Sequence, residues 1–253
     1  MQMKKSLLTM LALLSMGSSA FAQGTINVPT VTRNVEGELT GVKEVSVVAS
    51  RQGTVKIELQ NNADYRDLQF DITLPEGITL ADAENGGTVK IATDHAVGFA
   101  TQTETGAVRF VLYSENAAKL SNAILLEIPV AVAESFTGTQ PATLTKVLTS
   151  NDAAESIEIA NANFNVRAVL LGDVNDSGTV TNADQVAIVM YLLDEPSTPF
   201  VFEAADMEYN AAKPNEITNA DAISLADKLL STSAKAFMGE DVESDVETEI
   251  EPD

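Results

Sequence analysis

Hydrophobic and polar residues alternate in short stretches through the first two-thirds of the chain. Apolar side chains such as Val55, Ile57 and Leu59 occupy every second position, and this period of two is typical of strands with one buried face. Asn, Gly and Pro residues between the stretches indicate turns. The predicted strands are Thr54–Leu59, Leu68–Leu74, Ala107–Tyr113, Ile124–Ala133, Ala142–Leu148 and Ile157–Val166. Many short strands at this spacing predict an antiparallel β-sandwich over residues 23–168.

The pattern changes after the last predicted strand. Two longer apolar runs, Gln185–Leu193 and Ala222–Leu230, are interpreted as helices, and Pro196 ends the first of them. Residues 168–171 connect the two parts without a Gly/Ser-rich linker, so we expect them to pack closely. The predicted fold class is therefore mostly β, an antiparallel jelly-roll-type sandwich followed by a small α module over residues 169–232.

Residues 173–184 have the spacing of a calcium-binding loop. Calcium prefers several oxygen ligands, and a short loop supplies them when alternate side chains point inward. Gly178 occupies position 6, where the chain must turn sharply, and Asp176 at position 4 is expected to point away from the ion. The predicted ligands are Asp173, Asn175, Ser177, the backbone carbonyl of Thr179, and Asp184. The alternative is an Asp/Asn/Gly turn followed by an N-capped helix, which uses many of the same residues.

A second, longer loop precedes the second helix. The tetrapeptide Thr-Asn-Ala-Asp at 181–184 returns at 218–221. From its first predicted ligand to its last, this second loop has sixteen residues, whereas the first loop has twelve. Asn215 falls where glycine is expected, and Asn tolerates a left-handed backbone better than most residues. The predicted ligands are Asp206, Glu208, Asn210, the carbonyl of Glu216, and Asp221. Whether this copy binds a metal ion is left open by its length.

The duplicated motif Leu-Gly-Asp-Val-Asn-x-x-Gly-x-Val-x-x-x-Asp over residues 171–230 resembles the type I dockerin module. The resemblance implies calcium as the cofactor and a cohesin module of another secreted protein as the partner. Loop positions 10 and 11 and the helix that follows them make the contact in that family. On this chain the implied contact residues are Asn182, Ala183, Asn219 and Ala220. Identical pairs in both copies are compatible with two binding orientations related by a half-turn.

The predicted sandwich also contains segments that resemble a known family. The segments 65–72, 74–78, 109–114 and 124–130 are similar to cohesin-like sandwiches, an architecture shared with carbohydrate-binding modules, so its ligand is a dockerin or a glycan. Sugar-binding platforms use exposed aromatic faces, yet the chain has no tryptophan and the sandwich has only Tyr65 and Tyr113 as tyrosines. Protein binding is therefore preferred, with a glycan-binding sandwich braced by the repeat as the alternative.

Composition limits where the protein acts and which kinds of partner it can bind. Lys4 and Lys5, an apolar run and a small-residue end at Ala22 are typical of a secretory signal peptide, which predicts a secreted or cell-surface protein with no transmembrane segment. The formal net charge of −22 disfavours nucleic acid as a partner. The chain has no cysteine, so disulfides cannot stabilise it. Residues 233–253 are predicted to form an acidic disordered tail.

The two predicted helices differ in their surfaces. Residues 186–193 are apolar on all sides, whereas a surface helix normally has a polar face. The first helix is therefore expected to cover a partner protein or the chain's own sandwich, or else to be fully buried in its small module. The single histidine, His95, is expected at the surface, and no catalytic residue is assigned. The predicted function is a non-catalytic adaptor for protein–protein attachment in polysaccharide-degrading or cell-surface assemblies.

Overall fold

A computed structural model describes residues 24–35, 38–61, 64–81, 88–101 and 105–238. The predicted signal peptide, residues 1–22, and the acidic segment from Gly239 onward lie outside these ranges. The strands are β1 (Gly24–Asn27), β2 (Thr30–Val35), β3 (Glu38–Val47), β4 (Gln52–Asn61), β5 (Leu68–Thr73), β6 (Ile78–Leu80), β7 (Lys90–Ile91), β8 (Ala96–Thr101), β9 (Val108–Tyr113), β10 (Ala123–Val132), β11 (Thr139–Ser150), β12 (Ser156–Glu158) and β13 (Ala162–Ala168).

Within the described residues these strands form two sheets. In the smaller sheet, β4 pairs with β1 and β10, and β10 also pairs with β6 and β7. The larger sheet runs in the order β2-β3-β13-β11-β5-β9-β8, with β12 beside β11. The two sheets enclose a common core, to which Ile57 and Ile128 contribute from one side and Phe70 and Phe110 from the other. The predicted sandwich is thereby confirmed as a mostly β fold.

The core follows the period of two expected from the sequence. Buried and less buried positions alternate along β10 and β11, because successive side chains of a strand point to opposite faces. The rings of Phe70 and Phe110 stack with their centroids 5.4 Å apart. Each large side chain buried in this way contributes about 2 kcal/mol through the area that it removes from water.

Three sandwich predictions are wrong. The predicted strand Ile157–Val166 is two strands, since the chain leaves β12 after Glu158 and Ile159 N–H donates to the Val147 carbonyl, 2.9 Å away. The sandwich is not wholly antiparallel, because β13 pairs with β3 in parallel register. His95 is buried rather than exposed, with its Nε2 2.7 Å from the carbonyl oxygen of Arg66.

Residues 169–238 form what we call the loop–helix module. Its helices are α1 (Asn182–Leu192), α2 (Phe202–Ala205) and α3 (Asn219–Met238). The short α2 was not anticipated, and α3 continues through residues 233–238, which were assigned to the disordered tail. Among the described residues, no helix is long and apolar enough to cross a membrane. The module has its own small core, formed by Val174, Ala187, Ile188, Ala205, Ile217 and Leu225.

Candidate metal centre

The first loop, residues 173–184, turns around the carboxylate of Asp173. Asp173 Oδ1 accepts the Ser177 N–H at 2.9 Å, and Asp173 Oδ2 accepts the Gly178 N–H at 2.8 Å. Gly178 adopts a left-handed backbone with φ +83°, which L side chains rarely adopt. The buried position-1 aspartate thus fixes the sharp turn that the glycine at position 6 makes possible.

Predicted ligand atoms of this loop lie close together around Ser177. Its hydroxyl donates to the Thr179 carbonyl at 3.1 Å and lies 3.3 Å from Asp173 Oδ1. Asn175 Oδ1 accepts the Ser177 N–H at 3.1 Å. Oxygens of these four predicted ligands are therefore neighbours in one hydrogen-bonded network.

Asp184 closes the loop and also caps α1. Its Oδ1 accepts the Asn175 N–H at 3.1 Å, and its Oδ2 accepts the Thr181 N–H at 2.7 Å. Together with Thr181 it forms a capping box at the start of the helix, which satisfies backbone donors that a helix otherwise leaves unpaired. Capping alone accounts for Thr181 and Asp184, but it does not account for the buried Asp173 or the oxygens around Ser177.

The second loop, residues 206–221, repeats the bonds that hold the left-handed residue and those of the closing aspartate. Asp206 Oδ2 accepts the Asn215 N–H at 2.9 Å, as Asp173 does with Gly178. Asp221 accepts the N–H groups of Glu208 and Thr218, both at 2.8 Å, as Asp184 does in the first loop. Asn215 has φ +62°, so the predicted replacement of glycine by a left-handed asparagine is confirmed.

Three side chains of the second loop make other contacts. The carboxylate of Glu208 is hydrogen-bonded to the Ser224 hydroxyl on α3. Asn210 Oδ1 accepts the Ala212 N–H at 2.9 Å, and the side chain of Glu216 pairs with Lys213 at 2.9 Å. Glu216 was expected to contribute its backbone carbonyl alone. The structure thus brings together Asp206 and Asp221, and it directs Glu208 towards the following helix.

The four loop aspartates are unusual for acidic residues because they are at most 5% exposed. Burial raises the pKa of Asp206, the bond from the Asn215 N–H lowers it, and repulsion from Asp221 raises it. Isolated buried carboxylates are unfavourable unless hydrogen bonds or a cation compensate them. In each loop two such carboxylates lie among neutral oxygens, a donor set that fits a hard divalent cation.

In the part of the chain that the structure describes, no group of three or more acidic, histidine or cysteine side chains is placed so that it could hold a metal ion. A metal ion in the first loop would therefore be held by Asp173 and Asp184 together with the neutral oxygens of Asn175, Ser177 and Thr179. Such mixed sets are within the chemistry of calcium, which accepts carbonyl, amide and water oxygens beside carboxylates.

Two arginines of the sandwich contact the loops, and sequence reasoning missed both. Arg167 Nη1 donates to Asp176 Oδ1 at 2.7 Å, so the side chain of Asp176 faces the sandwich. Arg51 donates through Nη1 to the Asp206 carbonyl and through Nη2 to the Met207 carbonyl, the latter at 3.3 Å. Neither arginine stands in a motif, and an arginine within a sandwich sequence gives no signal of which loop it will reach.

Both long helices leave apolar side chains in solvent. Val186 on α1 and Leu193 at its C-cap are 59% and 65% exposed, and Ile223 and Leu230 on α3 are 62% and 68% exposed. Each pair occupies equivalent positions after its Thr-Asn-Ala-Asp tetrapeptide. The predicted contact residues Asn182, Ala183, Asn219 and Ala220 are exposed as well. The outer face of α1 is therefore neither buried in its module nor covered by the sandwich.

No protein-family model matches the chain, and no curated protein matches it. A cohesin module of a Clostridium perfringens family 33 glycoside hydrolase is 12% identical with TM-score 0.41, covering 57% of this chain and 98% of that one. A type I cohesin–dockerin complex from Clostridium thermocellum contains a chain 6% identical, with TM-score 0.41 and coverage of 61% and 99%. A non-cellulosomal cohesin from Archaeoglobus fulgidus is 11% identical, with TM-score 0.38 and coverage of 56% and 92%. Similarity at this level establishes no partner and no function for this chain.

Proposed function

We propose that this protein is a secreted, non-catalytic adaptor that attaches to another protein through its calcium-ordered loop–helix module. The observation that carries the proposal is the duplication of one hydrogen-bonded loop in front of two helices with matching exposed apolar positions. A loop that serves only as a turn needs no second copy with the same left-handed position, the same buried aspartates and the same outward side chains.

Calcium would be bound in the first loop by Asp173, Asn175, Ser177, Thr179 and Asp184. Two carboxylates already turned inward by backbone N–H groups need little rearrangement to accept an ion, so less ordering free energy is lost on binding. In the second loop Asp206 and Asp221 have the same arrangement, while Glu208 would have to leave Ser224 to join them. The first loop is therefore the stronger proposed site.

The proposed contact surface consists of Val186 on α1 and Leu193 at its C-cap, with their equivalents Ile223 and Leu230 on α3. Exposed apolar side chains next to small polar residues are typical of surfaces that become buried in a protein partner. Because the two faces are equivalent, either one can serve as the contact. The partner proposed from the sequence resemblance is a cohesin module of another secreted protein.

A glycan-binding sandwich is the weaker candidate. Sugar platforms need exposed aromatic faces, and Tyr65 is fully buried. Phe99 on the edge strand β8 is 55% exposed, but it packs against Phe110 with a ring separation of 5.5 Å. A single edge phenylalanine is a poor platform for an oligosaccharide, so attachment to a protein remains the preferred function.

Calorimetric titration of calcium into the chelated protein tests the metal half of this proposal. We expect uptake by the wild type and loss of the tighter site in Asp173→Asn, which keeps the shape of the side chain but removes its charge. Asp194→Asn is the matched control, because Asp194 is exposed after α1 with φ +61°. No uptake by the wild type, or equal uptake by Asp173→Asn, would contradict calcium binding.

Capture of partners from the secreted proteins of the source organism tests the attachment half. The baits are the wild type with calcium, the wild type with chelator, Val186→Glu, Ile223→Glu and the double variant, with Val31→Glu on the sandwich as the control. We expect one partner to be retained by the wild type and by each single variant, but lost with chelator and by the double variant. Retention by the double variant would place the contact elsewhere, and retention on polysaccharide would favour the glycan candidate.

A further inference from the structure

Arg167 connects the sandwich to the first loop through two carboxylates. It lies on β13, where its Nε donates to Glu44 Oε1 at 2.8 Å while its Nη1 donates to Asp176 Oδ1 at 2.7 Å. Glu44 is fully buried on β3 and also accepts a bond from Arg33 Nη1 at 2.7 Å. The guanidinium is thus held on one side by the sheet, and its other side holds the loop residue between the predicted ligands Asn175 and Ser177.

Arg51 makes the corresponding connection to the second loop. It follows the turn between β3 and β4, and its two terminal nitrogens donate to the carbonyls of Asp206 and Met207. Its guanidinium also lies over the ring of Tyr209, 5.3 Å from the ring centre. The backbone carbonyls of the position-1 aspartate and of the residue after it are therefore fixed by one planar side chain.

The two contacts share a property that a chance interface would not have. Arg167 bonds to Asp176, which lies between two predicted ligands, and Arg51 bonds to the backbone carbonyls of Asp206 and Met207. Neither arginine bonds to the carboxylate oxygens of the four loop aspartates, Asp173, Asp184, Asp206 and Asp221. The contacts restrict each loop without filling the place of an ion. Restricting a loop before it binds lowers the conformational entropy lost on binding.

We propose that Arg51 and Arg167 are positioning residues through which the β-sandwich orders the two loops before a cation arrives. This inference rests on the proposed calcium binding for its functional meaning, but the ordering itself is a property of the cation-free protein. By reciprocity, a cation that binds the ordered loops stabilises the contact between the sandwich and the module.

Electrostatic repulsion and loop ordering predict opposite changes in calcium affinity when an arginine is removed. An arginine near a bound cation repels it, so removing the arginine would raise the affinity if charge were dominant. The charge of Arg167 is offset by Glu44 and Asp176, whereas Arg51 bonds to neutral carbonyls. At the first loop, the gain in calcium affinity from ordering the loop should therefore clearly exceed the loss from repulsion between the arginine and the ion.

Amide hydrogen exchange in chelator tests the ordering without calcium. The Gly178 and Asn215 N–H groups donate to Asp173 and Asp206, so their exchange rates report the order of the two loops. In the full chain we expect Arg167→Met to accelerate exchange of the Gly178 N–H about tenfold. Arg51→Met should do the same at the Asn215 N–H. A tenfold change is typical of the coupling free energy between two sites of a protein. Amides of the β5–β9 pair should keep their rates in both variants.

Arg66→Met is the matched control, because the side chain of Arg66 pairs at 2.7 Å with Asp152, another residue on the surface of the sandwich. This variant should leave exchange at both loops unchanged. An unchanged Gly178 rate in Arg167→Met, or equal acceleration throughout the sandwich, would overturn the positioning role.

Calcium titration of the same variants then tests the coupling. We expect Arg167→Met to weaken binding at the first loop about tenfold and Arg51→Met to weaken binding at the second loop by less. Tighter binding in Arg167→Met would overturn the proposal in favour of repulsion. If the wild type takes up no calcium, the proposed function fails, and the exchange rates still decide whether the arginines order the loops.

Discussion

The first loop has twelve residues and the second has sixteen, yet equivalent hydrogen bonds hold both. The additional residues of the second loop lie between Asn210 and Asn215, where Asn210 Oδ1 accepts the Ala212 N–H and the Asn210 carbonyl accepts the Lys213 N–H, both at 2.9 Å. The insertion thus forms a turn of its own. The comparison teaches that the end aspartates and one left-handed residue define the loop, whereas the residues between positions 5 and 6 do not.

The largest expected effect comes from removing the closing aspartates. Asp184→Ala and Asp221→Ala each leave two backbone N–H groups without an acceptor, which costs about 3 kcal/mol of unfolding free energy for groups away from water. Urea unfolding in chelator measures this cost. The two losses should be similar, because the bonds are equivalent.

Asn182→Ala and Asn219→Ala serve as controls in the same tetrapeptides. Both asparagines are exposed, so these changes should stay within about 0.5 kcal/mol of the wild type. A loss at Asp221 much smaller than the loss at Asp184 would break the equivalence of the two loops.

The next largest effect on the unfolding free energy is expected at Gly178, the left-handed position of the first loop. No atom lies within 4 Å of where a Cβ of residue 178 would stand, so a substitution there meets backbone strain alone. Gly178→Val should lower the unfolding free energy by about 2 kcal/mol, and Gly178→Asn by less than about 1 kcal/mol, because Asn tolerates this conformation. Thermal unfolding in chelator compares the two. Equal losses would show that Asn215 does not compensate for glycine in the second loop.

A smaller, pH-dependent effect is expected at Glu203 on α2, whose Oε1 accepts a bond from the Asn215 side chain of the second loop at 3.0 Å. Burial raises the pKa of Glu203, although bonds from its own backbone and the Asn215 side chain and the charges of Lys56 and Arg167 act in the opposite direction. A carboxyl whose folded-state pKa is raised binds its proton more tightly in the folded protein, so its stabilising contribution is present at low pH and is lost as the pH rises through that value.

Glu203→Gln should therefore raise the thermal stability at neutral pH. This gain over the wild type should decrease as the solution is acidified. Melting temperatures across the acidic range measure the difference. Glu216→Gln is the control, since the Glu216 side chain is exposed and pairs with Lys213. A gain that is independent of pH would mean that ionisation of Glu203 is not its source.

The smallest effect on stability is expected from shortening the second loop. Deleting residues 211–214 restores twelve positions, and loop-closure entropy changes only slowly with length, by roughly 0.6 kcal/mol for each doubling. The unfolding free energy should hardly change, whereas calcium affinity at this loop should rise towards that of the first. A lower affinity after the deletion would show that the insertion assists binding.

Local patterns made much of this architecture predictable. Alternation located β4, β5, β9, β10 and β11, but not β1 and β3, which also contribute to the core. Counting back from Asp221 found the left-handed Asn215. The end of α3 was misjudged because residues 233–238 were assigned to the tail, although Ala, Lys and Met sustain helices. The four-residue α2 is too short for a period of 3.6 to be visible.

Long-range contacts were beyond prediction from a single sequence. The parallel pairing of Val45 with Val166 joins distant segments of the chain, and nothing local to either strand specifies the other. The reach of Arg51 and Arg167 into the loops has the same origin. Burial of His95 likewise depends on the carbonyl of Arg66, which no sequence pattern around the histidine reveals.

The position of β13 has a consequence for how the chain matures. In the larger sheet, the β2–β3 hairpin reaches the remaining strands through β13, and β13 is the last strand of the sandwich to be synthesised. A ribosome-bound chain cannot close this sheet until residue 168 has emerged. Until then β3 and β11 keep unpaired edges, which are sites of aggregation. The order of synthesis thus delays closure of the larger sheet until the last strand of the sandwich is available.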